Sequence, residues 1–106
     1  MANLLAGADH LPEVEGRTLL VGGGARSRAY RQVVADLLGR PVQVPEADEL
    51  VALGATLQAA AVLHGRPLED VADAWQLGRG VVVEPDLTVD ATAIRAAYAR
   101  AAAVYP

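Results

Sequence analysis

The sequence predicts an α/β fold: a strand–helix–strand–helix core followed by extra C-terminal helices. Three observations carry this reading. A short apolar run, Leu19-Leu20-Val21, breaks off at Gly22-Gly23-Gly24. Soon after it, Tyr30, Val33, Val34, Leu37 and Leu38 recur at i, i+3, i+4, i+7 and i+8, one apolar face of a helix. A second short run, Val42-Gln43-Val44, then lies between two prolines and ahead of another helical stripe. Strands alternating with helices in this way imply an α/β layer with right-handed crossovers.

The elements follow in order. Leu4 to Leu11 has room for one or two helical turns, which Pro12 and Gly16 end, with Glu13 and Glu15 in the link. Arg17 to Val21 reads as a buried strand stopping abruptly at Gly22. Ser27 is the expected N-cap of the next helix, which carries Arg31, Gln32 and Asp36 off its apolar face and stops at Gly39. Pro41 to Pro45 is a short strand whose pairing ends at the second proline, because proline fits poorly inside a ladder. Asp48 is the expected cap of a second helix, with Leu50, Leu53, Gly54, Leu57 and Ala61 as its stripe and His64-Gly65 as its close. A short third helix places Leu68, Val71, Ala72 and Trp75 on one face. Val81-Val82-Val83 is a further candidate strand and Glu84-Pro85-Asp86 a turn. Asp90 caps a last helix running through Ile94, Ala97, Tyr98, Ala101 and Tyr105. Two firm strands make a poor sheet, so the count points to part of a larger domain.

Composition narrows the function. A length of 106 residues allows one domain, and at this size only roughly two-thirds of the unfolded surface is buried. Hydrophobic residues make up 53%, above the usual share of roughly 45–50%, and much of that is alanine. The absence of cysteine excludes disulfides, iron–sulfur clusters and thiol catalysis and fits a cytoplasmic location. The net charge is −4 and every basic residue is an arginine, a balance that argues against a nucleic-acid partner. Apolar runs such as Ala59 to Leu63 are far shorter than the ~20 residues that span a bilayer, and Met1-Ala2-Asn3-Leu4-Leu5 has no basic flank, so neither a membrane partner nor a signal peptide is expected.

The most informative segment is Leu19-Leu20-Val21-Gly22-Gly23-Gly24-Ala25-Arg26-Ser27. Glycines between a strand and a helix permit positive φ and leave no Cβ to block a ligand. The helix start adds unpaired N–H groups and a partial positive charge. Together these suit a nucleotide, although a tight strand–helix turn alone needs the same residues. The commonest glycine motifs do not fit. A phosphate loop requires a lysine, which this chain lacks. The dinucleotide fingerprint requires glycine where Ser27 stands and an acid at the end of the next strand, a place Glu46 fills poorly.

Leu-Leu-Val-Gly-Gly-Gly-Ala-Arg-Ser at 19–27 resembles the second glycine motif of the FGGY-family carbohydrate kinases, which have a ribonuclease-H-like, actin-like ATPase fold. The continuation through Tyr30, Arg31, Gln32, Ala35, Asp36, Gly39 and Pro41-Val42 is similar to the xylulokinase branch. So are Ala52-Leu53-Gly54-Ala55 and the tail Val83-Glu84-Pro85-Asp86, Tyr98 and Tyr105-Pro106. The resemblance runs in order from about residue 17 to 106. It implies one domain over residues 1–106, the C-terminal part of a nucleotide-binding domain that takes ATP with Mg2+, the metal held mainly by the nucleotide and by regions outside this chain. By this resemblance Gly23, Gly24 and Ala25 line the nucleotide, Gly22 and Ser27 support them, and Arg28 stands where relatives place a polar contact to the base.

The resemblance also implies what the chain does not supply. In these kinases an aspartate acts as general base on the sugar hydroxyl, and none of Asp9, Asp36, Asp48, Asp70, Asp73, Asp86 or Asp90 matches it. No catalytic residue is therefore assigned. The expected function is the ATP-binding part of a pentulose (xylulose) kinase, inactive alone and working with the rest of the kinase chain. The alternative is a non-catalytic nucleotide-binding or protein-interaction module built on a kinase scaffold. Unpaired strand edges and uncovered apolar stripes lead us to expect a homo-oligomer.

The remaining candidates have plainer readings. Ser27 is the only serine and no G-x-S-x-G elbow surrounds it, which leaves it helix capping. His10 and His64, far apart and without cysteines, have no metal-ligand spacing. Trp75 is expected to anchor a core or an interface, and Gly54 to allow close helix packing.

Overall fold

The computed structural model describes residues 1–10 and 15–104. Among these residues five α-helices and three strands follow one another in chain order. Helix α1 is Ala2–Ala8; the predicted stop at Pro12 lies outside the described residues, as do Tyr105 and Pro106 at the far end. Strand β1 is Thr18–Leu19, followed by a 3-10 turn at Gly23–Arg26 and helix α2, Arg28–Leu38. Strand β2 is Val42–Pro45, α3 is Leu50–His64, α4 is Leu68–Ala74, β3 is Gly80–Val83 and α5 is Ala91–Val104.

The sheet has the order β1-β2-β3. β1 and β2 run parallel, with Thr18 opposite Val42, and α2 makes the connection between them. β3 returns antiparallel, pairing Val42 with Val83 and Pro45 with Gly80. Pro45 ends the pairing, as its missing N–H requires.

Directly opposed residues share a face of a sheet. Thr18, Leu20, Val42, Val44, Val81 and Val83 therefore lie on one side, and Leu19, Val21, Gln43 and Val82 on the other. Helix α2 covers the first side around Val42 and Val83, while Val81 beyond it stays exposed. Its Val34 and Ala35 are buried with Val42, and Leu20, Tyr30, Leu38 and Val83 pack around them. Val33 on the expected stripe is exposed instead, and Ala35, with no accessible surface, takes the position nearest the sheet. A close helix–sheet approach favours the smaller side chain.

The second side is uncovered, which corrects the expectation of a buried strand at Arg17–Val21. Leu19, Val21 and Val82 are exposed there. β1 is also shorter than expected, although the Leu20 N–H still donates to the Gln43 carbonyl at 2.9 Å. α1 and α5 pack against α2, and Arg95 ties the two outer helices by reaching the Leu5 carbonyl and, at 2.5 Å, the Asp9 carboxylate.

Helices α3 and α4 pack on each other around Ala61 and Val71. They extend the molecule to 54 × 28 × 24 Å, with a radius of gyration of 17.0 Å, where a compact chain of this length would have roughly 13 Å. The predicted stripe of α3 is its inward face, half-buried at Leu50, Leu53, Gly54 and Leu57 and buried at Ala61. The opposite face is also apolar yet open: Val51 is 91%, Val62 84% and Leu63 79% exposed. Helices apolar all round are normally enclosed.

Three local expectations are corrected. Asp48 does not cap α3; Glu49 occupies that position, without a side-chain bond, and Asp48 turns to Arg26. Trp75 ends α4 and is 42% exposed, which corrects the core half of its expected role; an exposed ring is compatible with the interface half. On α5 the half-buried residues are Ala91, Arg95, Tyr98 and Ala102, a face rotated from the predicted stripe because Arg95 is drawn inward to α1. No helix among the described residues is long and apolar enough to cross a membrane.

Candidate functional site

The chain leaves β1 through Val21 into Gly22, where φ is 96° and ψ −179°. Only glycine occupies that backbone region routinely. The chain then makes the 3-10 turn: Ala25 N–H donates to the Gly22 carbonyl at 3.1 Å and Ser27 N–H to the Gly24 carbonyl at 3.0 Å. Gly23 and Gly24, at the start of this turn, have no backbone acceptor among the described residues. Ser27 caps α2 by accepting the Tyr30 N–H at 3.3 Å, the bond its residue type predicts.

A cleft of about 250 Å³ opens where β1 and β2 end. This is the carboxyl end of a parallel strand pair, where open α/β sheets bind ligands. Gly22, Gly23 and Ala25 form one wall, with Arg26 and Arg31 beside them. Glu46, Ala47 and Asp48 from the β2–α3 loop form the other, and Leu20, Val44 and Val81 line the apolar floor. Gly24 does not line the cleft. The Tyr30 ring lies over it, 3.1 Å from where a Cβ would stand. Ser27 is occupied with its cap, and Arg28 is the exposed first residue of α2.

Charges of both signs meet here. Arg26 and Asp48 approach across the cleft to 3.8 Å, both largely exposed, a geometry of small energetic worth. Arg31 is half-buried and its Nε–H donates to the Ala25 carbonyl. Free amides and guanidinium groups on one wall and carboxylates on the other suit a ligand carrying both anionic and hydroxyl groups. At about 250 Å³ the cleft is smaller than the roughly 300–1,000 Å³ of a complete ligand pocket. An added Cβ at Gly23 meets nothing within 4 Å, so there is open space at that wall.

Sequence reasoning passed over Arg26, Arg31 and Asp48 as lining residues and weighed Glu46 only against the dinucleotide pattern. The usable signal was positional: the loop after the second parallel strand borders the same crevice as the loop after the first.

Four aspartates are engaged elsewhere. Asp9 pairs with Arg95, Asp36 accepts from Gln32 and from the Asp86 N–H, Asp86 accepts from Thr88, and Asp90 caps α5 through the Ala93 N–H at 2.9 Å. Asp70 and Asp73 are exposed on α4. Among the described residues no group of three or more His, Cys, Asp or Glu side chains is placed to hold a metal ion.

Comparisons with known proteins point to kinases of sugars and of glycerol. The profile described as "FGGY family of carbohydrate kinases, C-terminal domain" matches residues 5–63. The xylulose kinase of Streptomyces coelicolor is 54% identical over 66 residues, which are 62% of this chain and 14% of that protein. The xylulose kinase of Streptomyces rubiginosus has the same identity and coverage. Glycerol kinase 1 of Clostridium tetani is 41% identical over 73 residues, 67% of this chain and 14% of that protein. The chain thus spans about a seventh of the length of these relatives. No solved structure matches it significantly.

Proposed function

The chain belongs to the FGGY family of carbohydrate kinases, and we propose that it is the C-terminal, nucleotide-binding part of a pentulose kinase of the xylulokinase type. The observation that carries this reading is the Gly22–Ala25 turn, which opens on a cleft at the carboxyl ends of two parallel strands. The turn and the whole cleft except Val81 lie inside the segment that matches the family. The uncovered sheet face and the apolar outer side of α3 support a place within a larger actin-like, ribonuclease-H-like domain.

In this reading residues 1–106 form one domain-sized unit that supplies one wall of the ATP site. When bound, ATP supplies the phosphoryl group that is passed to a sugar hydroxyl. Gly22, Gly23 and Ala25 offer bare backbone to the nucleotide, Ser27 holds the start of α2, and Gly24 keeps the turn close to Tyr30. Arg26 brings positive charge to the phosphates, and Arg31 borders the same wall through its bond to the Ala25 carbonyl. Arg28, on the exposed first turn of α2, is available to the base.

Phosphoryl transfer depends mainly on positioning and charge stabilisation, so one wall does not give useful turnover. Of the carboxylates, Glu46 and Asp48 lie at the cleft, Asp48 facing Arg26, and in this reading the general base comes from elsewhere in the kinase. The xylulokinase assignment rests on the two Streptomyces xylulose kinases, which share more identity with this chain than the glycerol kinase does.

A second reading, a non-catalytic interaction module on the same scaffold, is favoured by the exposed outer side of α3 alone. Calorimetric titration with ATP–Mg2+, together with a coupled assay on xylulose, separates the two. The kinase-part reading predicts nucleotide binding without sugar-dependent turnover. Absence of binding supports the interaction module. Xylulose phosphorylation by the pure chain, abolished by replacing one of its aspartates, would overturn the assignment of the base to another region.

A further inference from the structure

Arg31 sits where the fold gives it a specific task. It is on the first turn of α2, and its own N–H donates to the Ser27 carbonyl at 3.1 Å. Helical side chains lean toward the N-terminus, which carries this one back over the glycine turn rather than out along the helix. There its Nε–H meets the carbonyl of Ala25, a residue almost completely buried. That carbonyl belongs to a turn with little regular hydrogen bonding of its own. Its partner therefore comes from a side chain six residues on. Tyr30, one residue earlier, covers Gly24. The two adjacent side chains thus hold the turn at two successive positions, and only Arg31 also lines the cleft.

We infer that Arg31 is a positioning residue for the nucleotide turn: by binding the Ala25 carbonyl it fixes Gly22–Ala25 at the wall of the cleft in the shape that receives the ligand. This inference rests on the proposed nucleotide site and adds the element that shapes it. The role is one of geometry rather than net charge. A lysine keeps the charge but has no donor at the Nε position and no planar fork, so it does not replace the arginine. Arg26, which touches the cleft only through an exposed pair with Asp48, has no such function.

The test uses the full 106-residue chain and the variants Arg31→Ala, Arg31→Lys and Arg26→Ala, with ADP and adenosine as probes. In nucleotide-free amide spectra, Arg31→Ala and Arg31→Lys should shift the resonances of Gly22 to Ser27 while leaving those of α4 and α5 in place. Arg26→Ala should leave the Gly22–Ala25 resonances close to wild type. In titrations, both Arg31 variants should lose about tenfold or more in affinity, consistent with loss of a charge-assisted hydrogen bond, and by the same factor for adenosine as for ADP. Unchanged turn resonances in Arg31→Ala would overturn the inference. So would wild-type affinity in Arg31→Lys, or a loss confined to ADP, because each assigns the residue a charge role. If the wild-type chain binds neither probe, the nucleotide reading itself fails, and the nucleotide-free spectra still decide whether Arg31 holds the turn.

Discussion

The Asp36 carboxylate on α2 accepts the backbone N–H of Asp86, fifty residues later, at 2.7 Å. The same oxygen takes the Gln32 amide at 2.7 Å, and Gln32 also donates to the Glu84 carbonyl at 2.9 Å. The loop after β3 is thereby tied to the helix that follows the glycine turn.

Asp36→Ala should lower stability by about 1.5–3 kcal/mol, the usual cost of losing hydrogen bonds to a charged group. Asp36→Asn should cost less, since its amide oxygen still accepts. Urea unfolding monitored by circular dichroism checks both. A midpoint for the alanine variant equal to wild type would show that the tie carries no energy.

Asp86 gives a pH-dependent effect. The Thr88 hydroxyl, followed by the Thr88 N–H, holds its carboxyl below the ordinary aspartate value, against a smaller opposing contribution from desolvation. A depressed folded value stabilises the fold above the unfolded value, and that contribution is lost as the pH falls through the folded one. The effect is therefore intact at neutral pH and disappears only in the acid range below ordinary aspartate titration. Thr88→Ala should raise the Asp86 value toward normal in a carbon-detected NMR titration, and an unchanged value would refute the assigned cause.

The glycines of the turn should respond differently to substitution. Gly22→Ala forces a side chain into a backbone region essentially reserved for glycine and should destabilise by about 1–3 kcal/mol. Gly23→Val adds its side chain to open space at the cleft wall, so the fold should survive while nucleotide affinity falls. Thermal unfolding and ADP titration of the two variants separate these effects. Equal nucleotide affinity in Gly23→Val and wild type would make the turn purely structural.

How much of this was legible in the sequence follows from what each feature depends on. The Ser27 cap, the Gly39 stop and the inward face of α3 are set by residues within one or two turns of each other, and all were readable. The coverage of the sheet was not, because it depends on which surfaces the rest of the fold brings over Leu19, Val21 and Val82. A core place for Trp75 and the Ile94 stripe were misread for the same reason: periodicity gives a face, not the neighbour that buries it. At the site, the glycine turn was legible from its residues. The opposite wall, Glu46 to Asp48, depends on β1 and β2 lying side by side.

The uncovered apolar surface leads to a prediction about association. Val51, Val62 and Leu63 on α3, with Leu19, Val21 and Val82 on the sheet, leave more apolar area open than isolated soluble chains usually tolerate. At micromolar concentration the chain should form dimers or larger species in light scattering, and Val62→Glu should shift it toward monomer. A wild-type monomer that binds no hydrophobic dye would contradict this.

The most direct test of the nucleotide site is a titration of the isotope-labelled chain with ATP–Mg2+, followed by amide chemical shifts. The account predicts saturable changes confined to Gly22–Arg26, Arg31 and Glu46–Leu50, the segments that contribute the two walls of the cleft. Changes centred on α4 and α5, or no changes at millimolar nucleotide, would contradict it.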